Sequence, residues 1–187
     1  MHETANGQRG FTMTELLTSV ALAAITTSLA VPGMKSLMRE SQQTMAANQL
    51  VGSMHGARSA ALTRNTSVTL CTSRSGVDCQ NVAWEDGWIV FADDNADGQR
   101  QAEETLLETS AGNAGVTIRG GNPAGAMTFD GGGRITGLPE GTGSLRLTIC
   151  DARGPGHARV LAVNAIGKPR AHPAHDIAPK TRCPGVG

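Results

Sequence analysis

The chain has 187 residues, of which 16 are acidic and 16 are basic, so its net charge is zero. This balance excludes a protein that is basic over its whole surface, and it makes the distribution of charge more informative than the sum. Aromatic residues are only 3% of the chain and tyrosine is absent, whereas glycine occurs 24 times. This composition predicts an aliphatic core and a turn-rich β domain instead of a helical bundle.

The first predicted element is an apolar helix that starts shortly after a glycine. Residues 16–34 carry no formal charge, and as a helix they would be ~28 Å long, which is enough to cross the hydrocarbon core of a bilayer. Glu15 stands at the head of this segment, where a carboxylate is costly unless it has a function. The alternatives are a signal anchor or a secretory signal peptide, but the latter is cleaved after its apolar region.

The helix is predicted to continue well beyond the apolar segment. An apolar stripe at alternating spacings of three and four residues is typical of a helix face that packs on a sheet, and it comprises Ala47, Leu50, Met54, Ala57 and Ala61. Met45 is assigned to the same core. We therefore predict one helix over residues 11–64, broken or bent near Pro32-Gly33 and ending at about Asn65.

Short β runs separated by turn residues follow the helix. The predicted strands are Ser67–Thr72, Trp88–Ala92, Val116–Arg119, Ala126–Phe129, Leu145–Cys150 and Arg159–Val163, with a last short piece near Ile166. The predicted turns are residues 131–133, 154–156 and 164–167. The predicted fold class is therefore α+β, with a long N-terminal helix packed on an antiparallel β domain.

An acidic segment separates two of these strands. Asp93, Asn95, Asp97 and Glu104 have the spacing of an EF-hand calcium loop. The flanks disagree, because an EF-hand needs a helix on each side and a strand precedes this loop. A solvated acidic turn is the preferred interpretation, with a calcium site as a side hypothesis. We find no nucleophile or metalloprotease motif, and we predict neither an enzyme nor a cofactor.

The four cysteines are Cys71, Cys79, Cys150 and Cys183. An N-terminal membrane helix would place them outside the cytoplasm, where disulfides persist. Three pairings are possible, of which the simplest joins Cys71 to Cys79 and Cys150 to Cys183. A zinc site is the alternative, but the spacings lack the CxxC pairs that such sites use.

The charge is unevenly distributed along the β domain. Residues 93–108 have six acidic residues against one arginine, whereas residues 150–187 have six basic residues against two acidic ones. Basic side chains on a disulfide-pinned loop suit phosphate groups and would bind DNA without reading its sequence. The alternative is that these residues only solubilise a tail. The candidate DNA-binding residues are Arg153, Arg159, Lys168, Arg170, Lys180 and Arg182.

The segment Gly10-Phe11-Thr12-Met13-Thr14-Glu15 resembles the class III signal of type IV pilins and type II secretion pseudopilins. The resemblance implies that a prepilin peptidase cleaves after Gly10 and methylates Phe11, and that Glu15 registers the helix against a neighbouring subunit. It divides the chain into a leader (1–10), a helix (11–64, with the membrane or filament core at 11–34) and a periplasmic β domain (65–187).

The β domain resembles the GspH/FimT group of minor pilins. The matching positions are Cys71, the stretch Trp84-x-x-Gly87-Trp88-x-x-Phe91-x-Asp93, the turn Cys150-Asp151-x-Arg153-Gly154 and the late Gly167-Lys168-Pro169-Arg170. In the FimT branch a C-terminal Gly-Arg-x-Arg motif is implicated in DNA uptake. Lys168 replaces the first arginine of that motif, which keeps the charge but loses the planar fork.

The resemblance implies a minor type IV pilin that binds DNA non-specifically for natural transformation. The alternative is a purely structural minor pilin for pilus assembly or priming, or the H pseudopilin of a type II secretion system. The implied partners are other pilin subunits, the prepilin peptidase, the inner membrane and double-stranded DNA. The implied location is the bacterial inner membrane, as a single-pass protein, before assembly, and then the pilus, periplasm and cell surface.

Overall fold

A single long helix, α1 (Met13–Arg64), opens the computed structural model of the chain. The structure describes residues 10–121, 125–138, 143–173 and 183, so the leader up to residue 9 lies outside it. The helix is unbroken through Pro32 and Gly33, so the break is wrong as a prediction, whereas the bend stays a prediction. The helix ends as predicted at Asn65, whose φ of 51° is left-handed.

The chain divides into two compact units, Met1–Met38 and Arg39–Gly187. In the first unit, the described residues include an apolar stretch of α1 that is long and apolar enough to cross a membrane by length and composition. Its hydroxyl side chains, such as Thr18, Ser19 and Thr27, donate to helix carbonyls three or four residues earlier. These polar groups are therefore satisfied within the helix, as an apolar environment requires.

The second unit contains two antiparallel sheets. Its described residues form nine strands, which are β1 (Val68–Thr72), β2 (Gly87–Ala92), β3 (Leu106–Ala111), β4 (Val116–Gly120), β5 (Ala126–Phe129), β6 (Ile135–Thr136), β7 (Ser144–Asp151), β8 (Arg159–Asn164) and β9 (Pro169–Pro173). The five-stranded sheet has the order β3-β2-β1-β5-β6, and the four-stranded sheet has the order β4-β7-β8-β9. The six complete strands predicted from the sequence are confirmed to within two residues.

Three short or edge elements were predicted wrongly or missed. The piece expected near Ile166 is a turn, and the last strand begins at Pro169 instead. This strand carries a proline at each end, and prolines weaken a strand signal although an edge strand tolerates them. β3, another edge strand, and β6, with only two residues, were not predicted.

The core of the second unit lies between the helix and the sheets. The predicted helical stripe is confirmed, since Ala47, Leu50, Met54, Ala57 and Ala61 are at most 2% exposed. They pack in one cluster with apolar residues from both sheets. Met45 is 57% exposed, so its assignment to the core is wrong. Successive helical residues are rotated by about 100°, and the side chain at position 45 lies outside the buried face.

Buried polar contacts fix the helix against each sheet. On the five-stranded sheet, the Trp88 indole donates to Ser53 Oγ at 2.9 Å, and the Ser53 hydroxyl in turn donates to the Glu108 carboxylate. On the four-stranded sheet, the Gln43 amide donates to the carbonyls of Ile149 and His157, both at 3.0 Å. Because Ser53, Trp88 and Gln43 are at most 2% exposed, their hydrogen bonds restrict how the helix can lie.

We predict that Ser53→Ala destabilises the protein by about 1–3 kcal/mol, because the fully buried Trp88 indole and the Glu108 carboxylate lose their shared partner. Chemical unfolding of the full chain in a neutral detergent, followed by tryptophan fluorescence, measures the change. The control is Ser59→Ala on the exposed side of the same helix, which we expect to shift stability by less than about 0.5 kcal/mol. Equal stability of the two variants would contradict the prediction.

Candidate nucleic-acid interface

The candidate site is built on the hairpin that joins β8 to β9. Its turn closes as predicted, with the Gly167 amide donating to the Asn164 carbonyl at 2.8 Å and the Lys168 amide donating to Asn164 Oδ1 at 2.9 Å. Gly167 has a φ of 73°, and a Cβ there would lie 2.4 Å from the Gly133 carbonyl oxygen. Only glycine fits this position, which explains the first residue of Gly167-Lys168-Pro169-Arg170.

The two basic residues of this motif point away from the core. Pro169 is buried and pairs with Val163, whereas Lys168 and Arg170 are exposed on the opposite face. Among the described residues, neither of the two basic side chains takes part in an ion pair. β9 is an edge strand, and Pro169 at its start fixes the backbone without removing an interior ladder bond. Both charges are therefore held on a defined scaffold and are available to a ligand.

Arg153 and Arg159 lie in a different environment. The Arg153 guanidinium binds the Asp151 carboxylate, with Nη2 2.7 Å and Nε 3.0 Å from Oδ2. Its Nη1 also lies 3.7 Å from Glu40 of α1, and Arg159 lies 3.9 Å from the same carboxylate. Arg159 shares a sheet face with Leu161, and Arg170 projects from the other face. The structure thus does not bring this arginine pair together with Lys168 and Arg170.

The Asp151–Arg153 pair shapes the Cys150-Asp151-x-Arg153-Gly154 turn. The Asp151 carboxylate also accepts the Arg153 amide at 2.8 Å. Burial by itself would raise the pKa of Asp151, but the hydrogen bonds from Arg153 outweigh it and hold that pKa below its ordinary value. The bond to Asp151 likewise raises the pKa of Arg153. With its side chain only 10% exposed, Arg153 stabilises the fold.

Both predicted disulfides are present. Cys71 is bonded to Cys79 and Cys150 to Cys183, so no cysteine is free and the zinc alternative is excluded. Cys150 clusters with Ala158 and Val160 and ties residue 183 back to the four-stranded sheet. The candidates Lys180 and Arg182 lie outside the described residues.

The acidic loop forms a self-contained turn. The buried Asp93 carboxylate accepts the amides of Asp97 and Gly98, both at 3.1 Å, and the Thr69 hydroxyl at 2.5 Å. Glu104 accepts the Asp94 amide at 3.1 Å and the Gln101 amide at 2.8 Å. The described part of the chain holds no group of three or more residues that could bind a metal. Asp93 and Glu104 are buried and accept hydrogen bonds from their own loop, so the turn is less solvated than the sequence interpretation expects, and the calcium site stays a hypothesis.

One exposed basic residue near the motif, Arg146 of β7, was not among the candidates. It stands between buried Leu145 and Leu147, and this alternation already marks it as outward-facing in the sequence. The residues that lie near Arg146 could not be predicted from the sequence, because strand pairing brings them together. Arg146 pairs with Ala162, and Ala162 pairs with Arg170.

A long N-terminal helix with an apolar beginning, packed further along on antiparallel sheets, defines the class of type IV pilins and pseudopilins. The family described as "Type II transport protein GspH" matches residues 46–167. This match covers more than half of the chain, and the protein belongs to that family. Its fold and family are those of structural filament subunits, and its role is that of a minor pilin or pseudopilin. A comparison with curated protein sequences found no match.

Solved structures of one minor pilin, in two crystal forms, show the same fold. The type IV minor pilin FimU of Pseudomonas aeruginosa PAO1 aligns in one crystal form with a TM-score of 0.55 and 18% identity, covering 72% of this chain and 91% of that one. A second crystal form gives 0.51 and 16%, over 71% and 94%. The minor pseudopilin EpsH of the Vibrio cholerae type II secretion system gives 0.49 and 10%, over 71% and 97%.

We predict that Asp151 makes the protein sensitive to acid. Because its pKa is lower in the folded protein than in the unfolded chain, its stabilising contribution is complete above the unfolded-state pKa and is lost as the pH falls through the folded-state value. Unfolding free energies measured between about pH 5 and about pH 2 should therefore fall less steeply for Asp151→Asn than for the native chain. Asp78→Asn, at an exposed position, is the control, and equal slopes for the two variants would contradict the prediction.

Proposed function

We propose that this protein is a minor pilin incorporated into a type IV pilus, and that it binds duplex DNA without sequence preference through Lys168 and Arg170 during DNA uptake. The observation that carries the proposal is the pair of exposed cations on the β8–β9 hairpin, neither of which forms an ion pair with another described residue. Their backbone is fixed by Gly167 and Pro169, so little conformational entropy is lost when they meet a phosphate. Contacts to phosphates position a protein on DNA without reading bases.

Lys168 in place of arginine is compatible with this role. A lysine meets a phosphate as a point charge, whereas an arginine can make two parallel hydrogen bonds. Arg170 keeps that second mode. We therefore expect Arg170 to contribute more affinity than Lys168, and both to contribute to the salt dependence of binding.

The second candidate function is a purely structural one, either in the assembly or priming of a pilus or as the H pseudopilin of a type II secretion system. The name of the matching family, a type II transport protein, favours this alternative. It needs no free cations on the hairpin. The two functions are separated by whether the hairpin binds DNA.

We predict that the full chain in a neutral detergent shifts a short duplex in gel titrations, and that affinity falls steeply between about 0.05 M and about 0.2 M salt. Lys168→Ala/Arg170→Ala should lower the affinity at least about tenfold and reduce the slope of log affinity against log salt by about two. The control Arg39→Ala/Arg74→Ala removes the same charge from exposed positions elsewhere and should bind like the native chain.

The absence of any shift at low salt by oxidised, folded protein would remove the DNA function and leave the structural one. A loss of binding that is equal in the two double variants would show that net charge matters and that the hairpin is not the site. Far-ultraviolet circular dichroism of each variant shows whether it is folded, so a loss of binding through misfolding can be recognised.

We further propose that the chain is made as a prepilin, cleaved between Gly10 and Phe11, and anchored in the inner membrane by the first half of α1. Phe11 is 80% exposed and many large apolar residues follow it on the helix surface, as membrane insertion and filament packing require. Glu15 lies in the first turn of the helix. There its carboxylate can meet the free amino terminus of a neighbouring subunit.

We predict that co-expression with a prepilin peptidase yields a chain that begins at methylated Phe11, and that Gly10→Leu blocks this cleavage. Intact-mass measurement of the purified protein distinguishes the products. Glu15→Gln should still be cleaved but should enter filaments poorly, because the charge that meets the neighbour's amino terminus is lost. Cleavage after the apolar segment would contradict the proposal and would indicate a secretory signal instead.

A further inference from the structure

The outward face of the four-stranded sheet carries a third cation beside the hairpin. Arg146 on β7 pairs with Ala162 on β8, and Ala162 pairs with Arg170 on β9. The two arginines therefore stand in one row across the sheet, with the small Ala162 between them. Neighbouring strands are about 4.8 Å apart, which places the two backbones about 10 Å apart. Lys168 precedes β9 and lies two residues before Arg170, so the two Cα atoms are at most about 7 Å apart.

Three exposed side chains thus form a compact surface, which we call the basic face (Arg146, Lys168 and Arg170). Within the described residues, none of the three takes part in an ion pair. Arg119 is on the same side of the sheet, but its guanidinium binds the Glu85 carboxylate. Because the Glu85 carboxylate neutralises its charge, Arg119 is not counted as a fourth residue of the basic face.

The aromatic residues decide which nucleic acid suits this face. The β domain has four residues of the tryptophan and phenylalanine types, and all are at most 3% exposed: Trp84, Trp88, Phe91 and Phe129. Tyrosine is absent from the sequence. Proteins that hold single strands stack bases on exposed aromatic rings, and no tryptophan or phenylalanine ring of this domain is exposed. Cations without stacking surfaces suit the charge-dense phosphate backbone of a duplex.

We infer that Arg146 is a third phosphate-binding residue, and that the basic face binds the backbone of duplex DNA in preference to a single strand. The inference rests on the proposed DNA-binding function and adds to it. It extends the proposed site from the motif on the β8–β9 hairpin to a row of residues on β7, β8 and β9. The partner is recognised by its phosphates, and Ala162 leaves space for the backbone to approach between the two arginines.

The test is a fluorescence-anisotropy titration of the full chain in neutral detergent with a labelled duplex, over the same range of salt. Arg146→Ala should weaken binding several-fold and lower the salt slope by about one, and Arg146→Lys should keep the slope. Arg74→Ala removes an exposed arginine far along the chain from this sheet and should behave like the native protein. The corresponding single strand should bind more weakly than the duplex.

Ala162 offers a second test that leaves every arginine in place. Ala162→Glu puts a carboxylate in the middle of the row, where it should pair with the arginines and abolish most of the binding. Ala162→Gln has nearly the same size without the charge and should retain it. The thermal midpoints of the two variants show whether either one disturbs the fold.

The outcomes separate the inference from the proposal it rests on. If Lys168→Ala/Arg170→Ala loses binding while Arg146→Ala and Ala162→Glu bind like the native chain, the hairpin binds DNA and the inference about Arg146 is wrong. If the single strand binds as tightly as the duplex, the duplex preference is wrong. If the native chain binds no DNA at low salt, the proposed function fails and the inference fails with it.

Discussion

The second half of α1 is the element on which the β domain depends. Apolar residues of both sheets pack in one buried cluster with a narrow stripe of this helix. The stripe comprises Ala46, Ala47, Leu50, Met54, Ala57 and Ala61. Four of the six residues in this stripe are alanines, and the larger Leu50 and Met54 are completely buried in the same cluster. The buried bonds of Ser53 and Gln43 then fix one arrangement where apolar packing alone would allow several.

That constraint also sorts the basic residues of the C-terminal region into two groups. Arg153 and Arg159 face the helix, where Glu40 and Asp151 neutralise them, and they contribute to stability. Lys168 and Arg170 project from the opposite face of the same sheet, where no described carboxylate pairs with them. A pleated strand sends alternate side chains to opposite faces, so residues close in sequence can have unrelated roles. The net positive charge of the C-terminal region is therefore larger than the positive charge that is available to a ligand.

Much of the fold could be predicted from local signals. A short stretch of sequence was enough to predict each of four features, either from its periodicity or from its turn-forming residues. These features are the apolar segment, the helical stripe, the helix end at Asn65 and the hairpin turn at residues 164–167. The errors occurred where local signals are weak. β9 has proline at both ends, β6 has two residues, and Met45 differs from the buried stripe by a single helical position.

The class of protein could be predicted without a structure, because the Gly10–Glu15 signal, the charge-free segment behind it and the Gly167-Lys168-Pro169-Arg170 motif are each contiguous in the chain. Which cations lie together follows from the pairing of the strands. Arg146 is more than 20 positions from Arg170 in the chain, and hydrogen bonding through β8 brings the two into one row. Strand register is set by long-range pairing and by which face is buried, and neither is encoded in the local pattern of charges. The Arg153 guanidinium binds the Asp151 carboxylate, so its charge is compensated within the fold.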